Sequence, residues 1–575
     1  MIESTKGYAP KDKGRLFLKS GLFLAFIILF VVIVRVRLLD FPLERDEGEY
    51  AYMGQLLLQG VPPYSEAYNM KFPGTYLMYA LIMAIFGQTA EGIHIGFMIV
   101  NSAAILLVYL LARKMVDDIP AAVAGGTYGL LSLSSSVFGF AAHATHFVVL
   151  PALGGTLLLL YALKKEKLRL YFLSGILLGI SVIMKQPGVF FCLFGAAYLI
   201  YNHVTSRPAQ PIGTFFPKLG AFLLGAALPL AITLIWLYAA GVFDKFWFWT
   251  VVYASRYASQ ISLSDAFSFF RHNFLAVANG FFLFWIISAL GFITMFFHKG
   301  LKVNKVFVLL FAFFSFLSIC PGFYFRRHYF ITLLPAVALL VGIFIDFIRA
   351  GDFAFLKERF SRYLGAGIFI VAASVGVIHQ KHYFFIDAPT SLSSSIYFGN
   401  PFPESIQIAR FIQDRTAATD RIAVLGSEPQ IFFYAKRPSA TGHIYMYGLM
   451  EHHDYSLAMQ KEMIHEVESS RPKFIVEVHV TASWLRRPES EQYIFDWIEN
   501  YVEGSYVMVG IVDIISPDLT VYRWDEDVRN YTIQSPQYLL IYERKQVADI
   551  SGFREVNPGL DGQLPGQKLQ TSPAL

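Results

Sequence analysis

Apolar runs long enough to cross a hydrocarbon core of roughly 30 Å, such as Leu18 to Val34 and Leu219 to Ala240, dictate the solvent in which this chain folds. A chain of 575 residues with 55% hydrophobic, 16% aromatic and 15% charged positions has too little charge to cover a soluble globule of its size, so most of its surface faces lipid. The first run is a retained anchor, because polar residues precede it and no small-residue cleavage site follows in Val34 to Phe41. The two cysteines, Cys192 and Cys320, fall in or beside apolar runs, which argues against a disulfide framework or a thiolate metal site. A net charge of +5 does not suggest nucleic acid.

The spacing of the runs predicts membrane helices near 17–37, 92–112, 119–137, 145–163, 170–184, 188–203, 219–240, 276–297, 305–320, 328–348 and 363–379, about eleven in all. Lys6, Lys11, Lys13, Arg15 and Lys19 place the N-terminus in the cytoplasm by the positive-inside bias. The inner loops this requires are all basic: Arg113 with Lys114, Lys164 to Arg169, Lys299 to Lys305, and Lys357 to Arg362. An odd helix count then puts segment 38–91, loop 241–275 and everything after His379 outside, in a bacterial-type inner (plasma) membrane protein.

The expected organisation is a transmembrane region 1–379 with a first outer loop at 38–91, an extracytoplasmic α/β domain at 380–550 and a disordered tail at 551–575. Strands are expected at Ile422 to Leu425, Phe474 to Val478 and Tyr506 to Val512, with helices at Pro403 to Arg415 and Met459 to Ser469. In the first loop, Glu47 to Gly60 carries an apolar stripe suited to a helix lying in the membrane interface, and Tyr76 to Phe86 suits a second.

Charged groups outside the spans carry the chemistry. Arg45, Asp46, Glu47, Gly48, Glu49 bring three carboxylates to the outer face, where a base can take a proton from a sugar hydroxyl; equally, Asp46 can serve as the N-cap of the helix that follows. Lys71, in Tyr68-Asn-Met-Lys-Phe-Pro-Gly, can meet a phosphate as a point charge or snorkel as an anchor. Arg326, Arg327, His328 and Tyr329 sit in a short outer loop against the charge bias, which suits a lipid phosphate, specific or general. Lys185 is a further cation at an outer helix break, where helix termination explains most of it. Arg256 and Arg271 carry less weight. His143 and His146 form an H-x-x-H pair without a visible third ligand, so no metal site is expected. Gly426 to Gln430 marks a strand-to-helix turn that can bind an anion, although a plain turn suffices; there is no dinucleotide or P-loop fingerprint.

The anchor, Arg45-Asp46-Glu47, the Lys71-Phe-Pro-Gly stretch and the Arg326-Arg-His-Tyr loop together resemble the GT-C glycosyltransferases, nearest the protein O-mannosyltransferase, lipid A aminoarabinose transferase and Rgt-type branch. The resemblance implies an inverting hexosyl- or pentosyltransferase that moves a sugar from a polyprenyl-phosphate carrier to a lipid, glycan or protein acceptor of the cell envelope on the outer face. By that resemblance Asp46, with Glu47 beside it, is the catalytic base, Lys71 meets the carrier phosphate, and Arg326, Arg327 and Lys185 are further phosphate partners. Glu49, Tyr68, His328 and Tyr329 then stand as substrate-binding residues, and no metal or other cofactor is required beyond the lipid-linked donor. The rival readings are a lipid-linked glycan transporter or flippase, which would need ionisable groups at the centres of its spans, and a ligase that moves a whole glycan.

Overall fold

The computed structural model describes residues 10–206, 211–351 and 358–545, so the tail expected to be disordered at 551–575 lies outside the described residues. Lipid offers the backbone no hydrogen bonds, and the apolar runs accordingly close their amides internally as helices. They are α1 (Pro10–Arg37), α4 (Ala90–Ala112), α5 (Asp118–Leu133), α6 (Ala144–Lys165), α7 (Leu168–Met184), α8 (Val189–Thr205) and α9 (Ile212–Ala239), then α13 (Phe282–Thr294), α14 (Lys305–Leu317), α15 (Leu334–Ala350) and α16 (Glu358–His379). Between the first two lie α2 (Arg45–Leu58) and α3 (Gly74–Phe86), and after α9 come α10 (Phe243–Trp247), α11 (Ala254–Ala258) and α12 (Leu263–Asn279). Among the described residues five helices are long and apolar enough to cross a membrane, or six with one bent pair.

That bent pair corrects one expectation. The helix predicted at 276–297 begins only at Phe282, because Phe281 leaves helical geometry (φ −138°, ψ 53°) and α12 meets α13 at 110°. The helix predicted at 328–348 is likewise shortened, since Arg327–Thr332 form a 3₁₀ segment before α15. At the centre, α5 packs against α1, α4 and α15, and residues 120–133 are buried throughout. Its Ala121, Ala122, Ala124, Gly125 and Gly126 let neighbouring backbones approach closely, as helix packing in lipid requires.

The C-terminal residues form a five-stranded mixed sheet of order β1-β2-β5-β3-β4, from Ile422–Leu425 (β1), Phe474–His479 (β2), Tyr506–Ser516 (β3), Leu519–Trp524 (β4) and Tyr538–Arg544 (β5). Only β1 and β2 run parallel, with Ile422 opposite Phe474. Around the sheet lie α17 (Pro389–Ile396), α18 (Phe402–Gln413), α19 (Gln430–Ala435), α20 (Tyr447–Met450), α21 (Ser456–Ser470), α22 (Thr481–Trp484) and α23 (Tyr493–Ser505).

Helix α2 joins the two parts, and here two expectations fail. It does not lie on a surface: Arg45 and every residue from Glu47 to Leu56 are buried, against α3 on one side and α19 on the other. A Cβ at Gly48 would stand 2.6 Å from Gln430, so only glycine allows this approach. Nor does Asp46 cap the helix. The cap is Glu44, whose carboxyl accepts from the Glu47 amide at 3.1 Å.

Arg45 pairs with Glu428 at 2.5 Å and also donates to Tyr447 Oη (3.0 Å), Asn400 Oδ1 (2.9 Å) and the Ser427 carbonyl. A buried, fully hydrogen-bonded pair of this kind costs roughly 3–5 kcal/mol to break from one side, so Arg45 is a joint between bundle and sheet. In the Gly426 to Gln430 turn the Glu428 carboxylate is spent on Arg45 and on the Gln430 side chain.

Candidate active site

Where α2, the loop after it and the sheet layer meet the helix ends, a cavity of about 220 Å³ opens. The backbone path explains its lining. The first turn of α2 delivers Asp46, the Pro73-terminated loop delivers Lys71, the break after α7 delivers Lys185, and the 3₁₀ segment before α15 delivers Arg326, His328 and Tyr329. Tyr68 also lines it.

Lys71 Nζ lies 3.1 Å from Asp46 Oδ1 and 2.8 Å from Glu49 Oε2, above the Tyr50 ring at 4.6 Å. Burial alone would raise the Asp46 carboxyl, but Lys71 foremost, then His328, His143 and Arg326, hold it far below the ordinary carboxylate range. Burial pushes Glu49 up to about 7 against the pull of Lys71. Glu49 stands behind Lys71, away from the lumen, and takes a further hydrogen bond from Tyr76 Oη at 3.0 Å.

Two other cations face the cavity without a carboxylate partner among the described residues. Lys185 rests over the Tyr329 ring at 3.9 Å, and burial, reinforced by Lys71, lowers it to about 7. Arg326 stands among tyrosines, of which Tyr257 contributes most to holding it charged.

Three predicted residues do not line the cavity: Glu49, behind Lys71, and also Glu47 and Arg327. Glu47 is wholly buried, receiving the Ala142 amide at 2.6 Å and His94 Nε2 at 3.2 Å, so its carboxylate braces the loop before α6 rather than facing the lumen. Arg327 turns away over the Phe138 ring at 5.5 Å.

The H-x-x-H pair also separates. His146 packs on Phe97, whereas His143 stacks on His328 with ring centroids 4.3 Å apart. Asp46, His143 and His328 each offer a ligand atom within 4.8 Å of the others, a set that can hold a cation. Burial brings His143 down to about 4 and His328 well below its ordinary value, so both imidazoles are neutral, as metal ligation requires.

Sequence reasoning did not find the cavity's far wall. Tyr445, which donates to Asp46 Oδ1 at 3.3 Å, comes from the sheet layer, and Trp249, Tyr253 and Tyr257 come from the irregular segment after α9. Nearly 400 positions separate Tyr445 from Asp46 (|i−j| = 399), and no local pattern in the chain marks the contact.

The family described as dolichyl-phosphate-mannose-protein mannosyltransferase matches residues 70–237. Undecaprenyl phosphate-α-4-amino-4-deoxy-L-arabinose arabinosyl transferases of Pseudomonas aeruginosa and Pseudomonas paraeruginosa are 30% identical over 171 residues, 28% of this chain. The match spans 30% of those relatives' own length. The crystal structure of ArnT from Cupriavidus metallidurans bound to undecaprenyl phosphate superimposes with a TM-score of 0.56 at 15% identity, covering 90% of this chain and 98% of that one, a likeness of fold. These matches are all to glycosyltransferases, over the shares and at the identities given, in the direction the sequence resemblance pointed.

Proposed function

We propose that this chain, with its GT-C fold, moves one sugar from a polyprenyl-phosphate carrier to a cell-envelope acceptor on the outer face of the inner membrane. The observation that carries the reading is one cavity holding two cations without carboxylate partners, Lys185 and Arg326, opposite the Asp46–Lys71 pair. In this reading eleven spans keep the N-terminus inside, residues 1–379 form the catalytic part, and the sheet domain at 380–550 stands outside over the cavity.

An acceptor hydroxyl attacks the anomeric carbon, its proton passes to Asp46, and the departing phosphate meets Lys71, Lys185 and Arg326. A single displacement inverts the anomeric carbon. Asp46 is a feeble base while Lys71 is beside it. Entry of the donor phosphate draws the ammonium off, so the carboxylate gains basicity only once the donor is seated. Donor therefore binds before acceptor. Glu49 acts through Lys71, and Tyr445 orients Asp46.

The purified protein in lipid nanodiscs, offered a panel of undecaprenyl-phosphate sugars and an envelope extract, should release carrier phosphate and add the mass of one sugar to an acceptor. Increments of a whole glycan would favour a ligase. No consumption of any donor, with undecaprenyl phosphate still bound, would sink the transferase reading.

Donor affinity should also fall with rising pH. Lys185, at about 7, is cationic below that value and neutral above it, and Glu49 acquires negative charge over the same range. Both changes disfavour the donor's phosphodiester anion. Between pH 7.5 and 9 the dissociation constant should rise by up to about tenfold per unit for one linked proton, with a shallower slope in Lys185→Ala. A flat profile in the unaltered protein would refute the role of Lys185.

A further inference from the structure

Tyr68 has a second side. Its amide donates to the Gly442 carbonyl at 2.7 Å, and its ring lies so close to that residue that a Cβ there would stand 2.2 Å from the ring. One face of the ring looks into the central cavity, near Trp249 at 5.8 Å and under Lys245 at 4.3 Å. Its hydroxyl points the other way and donates to Glu466 Oε1 at 2.9 Å. Beyond it opens a second groove of about 460 Å³, and Tyr68 is the one described residue that lines both.

This groove differs in chemistry from the cavity it adjoins. Its walls carry the polar side chains of Glu66, Arg421, Thr441, His465, Glu466 and Ser469 beside Tyr68 and Ala440. The groups are fixed in place. Glu466 Oε2 accepts from Thr441 Oγ1 (2.6 Å) and the Gly442 amide (2.9 Å), while Arg421 pairs with Glu66 at 3.2 Å and donates to the Ser439 carbonyl at 2.5 Å. Two carboxylates against one guanidinium leave the groove slightly negative. Lys71, Lys185 and Arg326 against Asp46 leave the cavity positive.

A phosphate is thus drawn to the cavity and turned away from the groove. What the groove can satisfy is a ligand that is rich in hydroxyls that both donate and accept and carries no negative charge. Saccharides have that combination.

We infer that the groove seats the uncharged sugar units of a glycan acceptor, behind a terminal unit that stands against the cavity face of Tyr68. This rests on the transferase reading above and specifies its acceptor. Tyr68 then divides donor from acceptor. The sheet layer supplies most of the acceptor seat, and the helical bundle supplies the phosphate seat.

The test uses the full chain in nanodiscs and three neutral trisaccharides, of glucose, mannose and N-acetylglucosamine, each compared by titration calorimetry with its form phosphorylated at the reducing end, the end that lies in the groove away from the cavity. At least one neutral trisaccharide should bind saturably, and its phosphorylated form about tenfold more weakly or worse. Ser469→Trp and Ser65→Trp, substitutions at exposed positions of the lining, should each weaken binding by about tenfold or more, with the undecaprenyl phosphate isotherm unmoved. Absence of saturable binding, tighter binding of the phosphorylated forms, or indifference to both tryptophans would overturn the groove. Loss of undecaprenyl phosphate binding in those variants would overturn it too. Saccharide binding that meets every expectation while no donor is ever consumed would uphold the groove and reject the transferase.

Discussion

Asp46→Asn should slow sugar transfer by about 10²–10⁴ while leaving the protein folded, inserted and able to bind donor. The fold makes this a clean substitution. Asp46 has no capping duty, because Glu44 holds the Glu47 amide; its Oδ1 meets Lys71 at 3.1 Å and Tyr445 at 3.3 Å, and its Oδ2 lies 3.9 Å from His328 Nε2. Asparagine keeps an oxygen for the tyrosine and loses the charge and the base. Lys71 still has Glu49, so the ammonium stays in place and is freer for phosphate. Turnover should therefore collapse with the donor KM unchanged or lower, and the thermal midpoint should hold. Glu47→Gln is the contrasting control. Its carboxylate is spent on His94 and the Ala142 amide, so the loss there should appear in thermal stability before it appears in turnover. Full turnover by Asp46→Asn on lipid donor would remove Asp46 from the mechanism.

How far the chain announced this is instructive residue by residue. Membrane helices were legible because a run such as Leu219 to Ala240 is long enough to identify its solvent unaided. The strand at Ile422 was legible from its β-branched run between turns, whereas the reading passed over β5, Tyr538–Arg544, a short apolar stretch whose strand character depends on pairing with β2 and β3. Asp46 and Lys71 stood out as charges outside the spans. Glu47 stood out equally, yet α2 turns it to the opposite side, toward α4. Adjacent residues on a helix point about 100° apart, and their shared neighbourhood in sequence hides this. The interface reading of α2 failed for a related reason. An amphipathic stripe says that one face is apolar, not that water or headgroups meet the other, and here Gln430, Glu428 and Tyr447 do. Tyr445 and the stacking of His143 on His328 are tertiary products, invisible until the sheet layer closes over the helix ends.

Lys71→Ala should weaken donor binding more than any other single change, by roughly two orders of magnitude, because it both removes a cation and leaves the Asp46 carboxylate without its ammonium. In the resting cavity one ammonium serves Asp46 and Glu49 together, and both oxygens lie within 3.1 Å of it. Without it the carboxylates are left to their burial, which pushes each toward the protonated form. Glu49, already raised to about 7, would then be neutral at physiological pH. Asp46, freed of the partner that held it low, would titrate at higher pH than before, so the acid limb of the kcat/KM profile should move upward. That displacement separates the proposal from simple loss of a structural lysine, which would lower stability without moving a kinetic pKa. Isothermal titration with undecaprenyl phosphate gives the first quantity, and kcat/KM for the donor across pH 4 to 9, which reports the donor-free enzyme, gives the second. An unchanged isotherm would exclude Lys71 from the phosphate site, and an unmoved acid limb would mean that Lys71 does not govern the base.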